Sequence, residues 1–256
     1  MSLPTLNDTP ARHRIERLRH EIRRRELTVT AREQLSPRML RFTLSSPDLH
    51  DFLSAGVDDH VKLFFDTPEG PVMRDFTPRA YDNAACTLVL DFALHDHGPA
   101  ADWARKAQVG SVLSIGGPRG SLVVTDDFDW YLLIADSTGL PSIGRRLESL
   151  RESVPVTTLV LLDSADDAQA IATRADWTPH WLARDAGEGD DATRLLAALR
   201  ALEWPQGDGY VWIAAEAGVA KALRAHVLEE RGHYPQWMRA AGYWLKGEAG
   251  AHETLG

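Results

Sequence analysis

The chain changes its hydrophobic rhythm twice. In "RHRIERLRHEIRRR", Arg12 to Arg25, the apolar residues Ile15, Leu18 and Ile22 recur at steps of three and four. That spacing predicts an amphipathic helix with a narrow apolar stripe and a basic outer face. From Glu26 to about Val124 the runs shorten and become β-rich, as in "ELTVTAREQ", "RMLRFTLSS", "HVKLFFD", "CTLVLDFALH" and "SVLSIGG". Breaks such as "SPR", "TPEGP" and "GGPRG" punctuate them, which predicts an antiparallel barrel or sandwich interrupted by one helix near Pro99 to Gln108.

Beyond Asp126 the apolar strands "WYLLIAD", "VTTLVLLD" and "YVWIAAE" alternate with helical stretches near Pro141 to Glu152, Ala192 to Leu202 and Ala217 to Arg231. A final strand is expected in "QWMRAAGYWLKG". Strands that are apolar throughout and alternate with helices imply a parallel sheet covered on both faces. The fold class is therefore β plus α/β: a basic helical extension over 1–25, an antiparallel β-barrel domain over 26–125 and a parallel-sheet α/β domain over 126–256. No repeat or low-complexity linker separates the halves, so they are expected to pack directly.

Composition narrows the function. With 256 residues, 44% hydrophobic and 25% charged, the chain reads as a soluble globular protein. A net charge of -9 argues against nucleic acid as a general partner and makes any anion site local. No apolar run approaches the roughly 18 to 20 residues that span a bilayer, and "MSLPTLNDTP" lacks the regions of a signal peptide. The expectation is a cytoplasmic protein without stable membrane insertion. The single cysteine, Cys86, excludes an internal disulfide and a cysteine-based metal site, and its run "CTLVLDFAL" suggests a core position.

Four stretches carry candidate chemistry. In "IADSTGLPSIGRRLE", at the carboxyl end of a predicted parallel strand, Ser137, Thr138 and Gly139 form a turn before Pro141. Its amides and hydroxyls could meet a phosphate, and helix capping explains them equally well. A second strand end, "WIAAEAGVAKALRAH", turns through Glu216 to Gly218. In "HDHGPAADWA", Gly98 allows a tight turn and Pro99 presets the first helical residue, so the amides of Ala100, Ala101 and Asp102 point at an anion above the helix end. His95 and His97 lack a clear third metal ligand, and no metal is predicted.

The fourth stretch is "VMRDFTPRAYD". If extended, it turns Arg74, Phe76 and Pro78 to one side and Asp75, Thr77 and Arg79 to the other; a bend would bring both sets to one ligand. A flat aromatic beside a hydroxyl and guanidinium forks suits a cofactor with a planar ring and a diphosphate. A surface strand with alternating charges is the competing reading.

Taken together, from "LTVTAREQLSPRMLRFTLSSPDL" through "RDFTPRAYD", "LVLDFALHDHGPAADWARKAQVGSVLSIGGPRGS" and "YLLIADSTGLPSIGRRLE" to "WIAAEAGVAKALRAHVLEERG" and "GYWLKG", the chain resembles the siderophore-interacting protein family over roughly Leu27 to Gly247. These are flavin-dependent ferric-siderophore reductases related to ferredoxin reductases. The resemblance implies an FAD-binding barrel followed by a smaller nicotinamide-type α/β domain, with NADPH or NADH as donor and no side-chain nucleophile or acid-base pair. It carries the family's Arg-x-Tyr-Thr-x-Arg segment onto Arg74, Phe76, Thr77 and Arg79, with Asp75 between them. By that analogy the aromatic ring packs on the isoalloxazine, the hydroxyl approaches its N5 edge and arginine meets the diphosphate. The His-x-x-Gly-Pro-Ala segment falls on His95, Gly98, Pro99 and Ala100. Further cofactor contacts are expected from Asp91, Trp103, Ser137, Thr138, Glu216, Tyr243 and Trp244. Lys62, Arg119 and Lys246 are the candidates for an anionic ferric siderophore.

The departures lie at both cofactor sites. Phe76 replaces the usual tyrosine. Ala135, Asp136, Ser137, Thr138, Gly139, Leu140 and Pro141 stand for Gly-Asp-Glu-Thr-Ala-Leu-Pro, and Ala214, Ala215 and Glu216 for Ala-Gly-Glu. These changes, with the basic amino-terminal segment, keep two alternatives open: a ferredoxin-dependent siderophore reductase, and a siderophore- or flavin-binding protein without turnover.

Overall fold

The computed structural model describes residues 12–95, 98–186, 189–247 and 253–254. The basic amino-terminal segment is not a helix. Its first half is strand β1 (Ile15–Arg19), paired antiparallel with β9 (Gly120–Val124). Helical spacing of three apolar residues was a weak cue. The competing interaction was an open strand edge, and Gly120 lets the chains meet closely: a Cβ there would lie 2.4 Å from the Leu18 carbonyl. Besides the local pairs Arg14–Glu16 and Arg23–Glu21, carboxylates from distant parts of the chain balance this segment. Arg12 reaches Asp129, His13 sits between Asp127 and Asp208, and Arg23 and Arg25 both grip Asp51.

Strands β2 (Arg24–Ser36), β3 (Met39–Ser45), β4 (Val61–Thr67), β5 (Gly70–Phe76), β6 (Pro78–Asp82), β7 (Thr87–Ala93) and β8 (Val112–Gly116) form one antiparallel sheet in the order β5-β4-β8-β2-β3-β7-β6. Alternation drives it: Leu27 and Val29 are buried while Glu26 and Thr28 are exposed. Leu40, Phe42, Val61, Leu63, Leu90, Phe92 and Ile115 complete the inner face. The sheet curls into a half-barrel whose two edges, β5 and β6, are joined in sequence through Thr77. Helix α1 (Pro99–Lys106) covers the core with Ala104 and with Trp103, which lies against Phe42 and Phe92. Cys86 is not in the core strand. It occupies the turn before β7 with φ of 52° and is half-buried.

The remainder is β10 (Trp130–Asp136), α2 (Leu140–Ser149), β11 (Pro155–Leu162), β12 (Asp176–Ala183), α3 (Asp191–Ala201), β13 (Gly209–Glu216), α4 (Ala217–Ala225), β14 (Met238–Trp244) and β15 (Glu253–Thr254). The sheet runs β12-β11-β10-β13-β14-β15, parallel except for the last pair. Tyr131, Leu133 and Ala135 pack towards Ile143 and Leu147 of α2, while Leu132 and Ile134 pack with residues of α3 and α4. Strand β12, "DWTPHWLA", carries no continuous apolar run because it is an edge strand, where Pro179 is tolerated. Among the described residues no helix is long and apolar enough to cross a membrane.

The two sheets are locked directly. Asp58 accepts from Arg239 and from Trp212 Nε1, and Arg145 of α2 donates to the Ser54 hydroxyl and carbonyl at 3.0 and 2.8 Å. On the other flank Asp167 accepts from the Ser36 hydroxyl and the Arg38 amide at 2.8 and 2.9 Å.

Candidate functional site

Edge strand β5 presents the "RDF" residues on alternate faces. Arg74 and Phe76 lie opposite Leu63 and Val61, on the inner face, whereas Asp75 lies opposite Lys62 and pairs with it at 2.7 Å. The Phe76 ring leans on Phe92, with centroids 4.4 Å apart, and Phe92 stacks on Trp103 at 5.3 Å. An aromatic floor thus runs from β5 across β7 to α1. Beside it, the Arg74 guanidinium donates to the neighbouring Met73 carbonyl and has no carboxylate partner among the described residues.

The second arginine of the segment is placed differently. Arg79 is buried, forks onto Glu148 of α2 and lies 3.7 Å from Asp91. A Cβ on Gly144 would sit 2.9 Å from its Nε and Nη2, so this helix residue must be small for the fork to form. Asp91 is itself clamped by Arg41 at 2.7 and 2.8 Å, and that bond, against the cost of burial, raises the Arg41 pKa. Asp91 and Arg79 therefore belong to a buried charge cluster between the sheet and α2. Thr77 also faces α2: its hydroxyl lies 3.1 Å from that of Ser142, which lies 3.1 Å from the Tyr243 phenol.

At the start of α1, Gly98 has φ of 129°, a conformation that side chains rarely adopt, and open space where a Cβ would be. Pro99 follows at the first helical position. The Asp102 amide, expected to be open, donates to the Gly98 carbonyl at 2.9 Å. The amides of Ala100 and Ala101 have no acceptor among the described residues. His95 is exposed and its carbonyl accepts from Arg105; His97 lies outside the described residues. No cluster of three or more metal-ligating side chains occurs among the described residues.

The strand ends of the parallel sheet meet around Asp136, which is 2% exposed. It accepts from the Thr138 amide at 2.9 Å, the Glu216 amide at 3.1 Å and Trp244 Nε1 at 2.8 Å. The Thr138 amide, expected to face a phosphate, is thereby committed to a carboxylate; helix capping is the role the geometry supports. Glu216 caps the next helix through the Val219 amide at 3.1 Å and accepts from the Lys246 amide at 3.3 Å. Ser137 points elsewhere, lining a void of about 10 Å³ with Met39, Ala93 and Leu94 between the two sheets. The hub, Asp136, was visible in the sequence as a lone acid ending the apolar run "WYLLIAD". Ser142, Arg145 and Glu148 gave no comparable signal, since helix α2 reads simply as amphipathic.

The three candidate substrate cations have different settings. Lys62 is tied to Asp75, Arg119 is exposed just beyond the cis Gly117–Pro118 bond with its carbonyl accepting from the His20 amide, and Lys246 is exposed beyond β14. What the structure does assemble is an aromatic row, Phe76–Phe92–Trp103, between β5, which carries Arg74, and α1, whose Ala100 and Ala101 amides have no acceptor among the described residues. That donor set fits a planar ring system with an anionic tail.

Comparison with known proteins identifies the family. A family model described as siderophore-interacting protein matches residues 128–247, and one described as siderophore-interacting FAD-binding domain matches 28–71 and 66–122. The chain is 36% identical to the NADPH-dependent ferric-chelate reductase of Escherichia coli (strain K12), an alignment covering 93% of this chain and 99% of that protein. It is 28% identical to the ferric vibriobactin reductase ViuB of Vibrio cholerae serotype O1, covering 88% of this chain and 90% of the relative. Among solved structures, a siderophore utilization protein from T. fusca superposes with a TM-score of 0.86 at 32% identity, covering 93% of this chain and 98% of that one.

Proposed function

We propose that this chain, which belongs to the siderophore-interacting protein family, is an FAD-dependent oxidoreductase that reduces ferric siderophores with NADPH as electron donor. The observation that carries the reading is the aromatic row of Phe76, Phe92 and Trp103, which links β5, the strand that carries Arg74, to α1. A bound flavin supplies the conversion of a two-electron donor into single-electron output. Phe76 supports the ring face, and Phe92 and Trp103 keep that floor rigid from behind. Arg74 and the amides of Ala100 and Ala101 hold the diphosphate, while Thr77 sets a hydroxyl at the ring edge. Residues 26–125 form the flavin-binding unit, and residues 126–256 form the donor-binding unit. Lys62, Arg119 and Lys246 raise the local potential for an anionic ferric chelate on an otherwise acidic protein. Iron(III) enters as substrate and leaves as iron(II), which hard oxygen ligands hold less tightly. Such a reductase works in the cytoplasm, where its donor is regenerated.

The test is an anaerobic mixture of FAD-loaded protein with NADPH, followed by ferric siderophore and an iron(II)-trapping dye. Bleaching of the flavin and continuous dye formation support the reading; a yellow protein that NADPH leaves oxidised removes NADPH as donor. One observation favours a second donor in that case. Asp136 already occupies the turn amide that a nicotinamide dinucleotide's phosphate would take, so reduced ferredoxin is the alternative to add.

A further inference from the structure

Three hydroxyls join the two sheets in single file. Thr77 stands at the β5–β6 junction beside Phe76, Ser142 lies on the first turn of α2, and Tyr243 lies on β14. Thr77 Oγ1 is 3.1 Å from Ser142 Oγ, and Ser142 Oγ is 3.1 Å from Tyr243 Oη. Thr77 is 7% and Ser142 1% exposed, so the bond between them is shielded from water, while Tyr243 at the far end is half-buried. Burial pushes the Tyr243 phenol well above its ordinary pKa, which keeps its proton in place at neutral pH.

Three O–H groups and two links leave one proton over. If Tyr243 donates to Ser142 and Ser142 to Thr77, the Thr77 proton points out of the chain, and Thr77 is a donor to whatever lies on Phe76. If the three O–H groups rotate together, Thr77 donates inward and presents a lone pair instead. Neither arrangement gains or loses a proton, and both satisfy the two contacts. We infer that Ser142 and Tyr243 are positioning residues that fix the Thr77 hydroxyl and let it present either a proton or a lone pair to the bound ring. The consequence is that a residue of β14 tunes a site built on the other sheet. This inference rests on the reading that FAD lies against Phe76.

The experiment uses full-length protein loaded with FAD, comparing wild type with Thr77→Val, Ser142→Ala, Tyr243→Phe and the double variant Thr77→Val/Tyr243→Phe. Two quantities are read: the affinity of apoprotein for FAD, and the midpoint potential of the bound flavin with its pH dependence. Each single variant is expected to weaken FAD by about five-fold, the scale of one hydrogen bond, and to move the potential in the same direction. The double variant is expected to match Thr77→Val alone, while Thr77→Ser restores wild-type values. Tyr243→Phe changes no shape, and its thermal melt checks that the fold is kept. Wild-type potential and affinity in both Ser142→Ala and Tyr243→Phe, or effects that add in the double variant, overturn the inference while leaving a yellow wild-type protein. A wild-type protein that takes up no FAD removes the flavin reading and this inference together.

Discussion

Arg79 of the half-barrel forks onto Glu148 of helix α2, so two residues 69 positions apart hold the antiparallel sheet to the parallel one. The pair is asymmetric, with the Arg79 side chain 9% and the Glu148 side chain 44% exposed. Removing the buried partner leaves a hole and an unbalanced cluster, whereas removing the exposed one leaves Arg79 near Asp91. Arg79→Ala is expected to lower unfolding free energy by about 3 kcal/mol, and Glu148→Gln by about 1 kcal/mol. Urea denaturation followed by tryptophan fluorescence measures both, and the reverse ranking contradicts the assignment.

Gly144 gives an independent check on the same fork. Its missing side chain makes room for the guanidinium, with 2.9 Å from a built Cβ to Nε. Gly144→Ala improves helix propensity yet crowds Arg79, so a net loss of about 1 to 2 kcal/mol is expected. Arg74→Ala should behave oppositely to these variants, since Arg74 has no carboxylate partner among the described residues. Its stability stays within about 0.5 kcal/mol of wild type, and FAD affinity falls by about ten-fold or more, as loss of a charge-assisted hydrogen bond implies.

Asp163 supplies a pH dependence. Burial works to raise its pKa, but hydrogen bonds and charge from Arg184 and Arg38 prevail and hold it below the ordinary 3.8. A carboxyl depressed in the folded state contributes stability above its unfolded value, and that contribution is lost as pH falls through the folded value. Asp163→Asn should therefore melt below wild type at pH 7, and the gap should close as pH drops below about 4. A gap that widens in acid contradicts the sign.

Asp136 organises the strand ends of the parallel sheet. Asp136→Ala leaves the amides of Thr138 and Glu216 and the Trp244 indole without their acceptor. A loss of about 3 kcal/mol or more is expected, and flavin bleaching by NADPH slows while FAD binding is kept. Stopped-flow absorbance separates the two effects.

Much of this architecture was legible because its signals are local. Alternation in "LTVT" and "KLFF" and the unbroken apolar runs of β10 and β13 depend on nearest neighbours, and "GPAADW" announces its helix start through Gly98 and Pro99. The amino-terminal strand was misread because pairing of Ile15–Arg19 with β9 is a tertiary event that three apolar positions cannot encode. The same limit hides long-range partners: nothing near Arg79 in the sequence announces Glu148, and nothing near Thr77 announces its link to Tyr243 across 166 positions. Residue types mark the segment, and long-range packing gives its two arginines different partners: Arg79 has Glu148, and Arg74 has no carboxylate among the described residues.

The most direct measurement is titration of flavin-free protein with FAD, read by quenching of flavin fluorescence, in wild type and Phe76→Ala. The account predicts saturable one-to-one binding by wild type and affinity reduced by about ten-fold or more when the ring's support is removed. No saturable binding by wild type, or equal affinity in the two proteins, contradicts it.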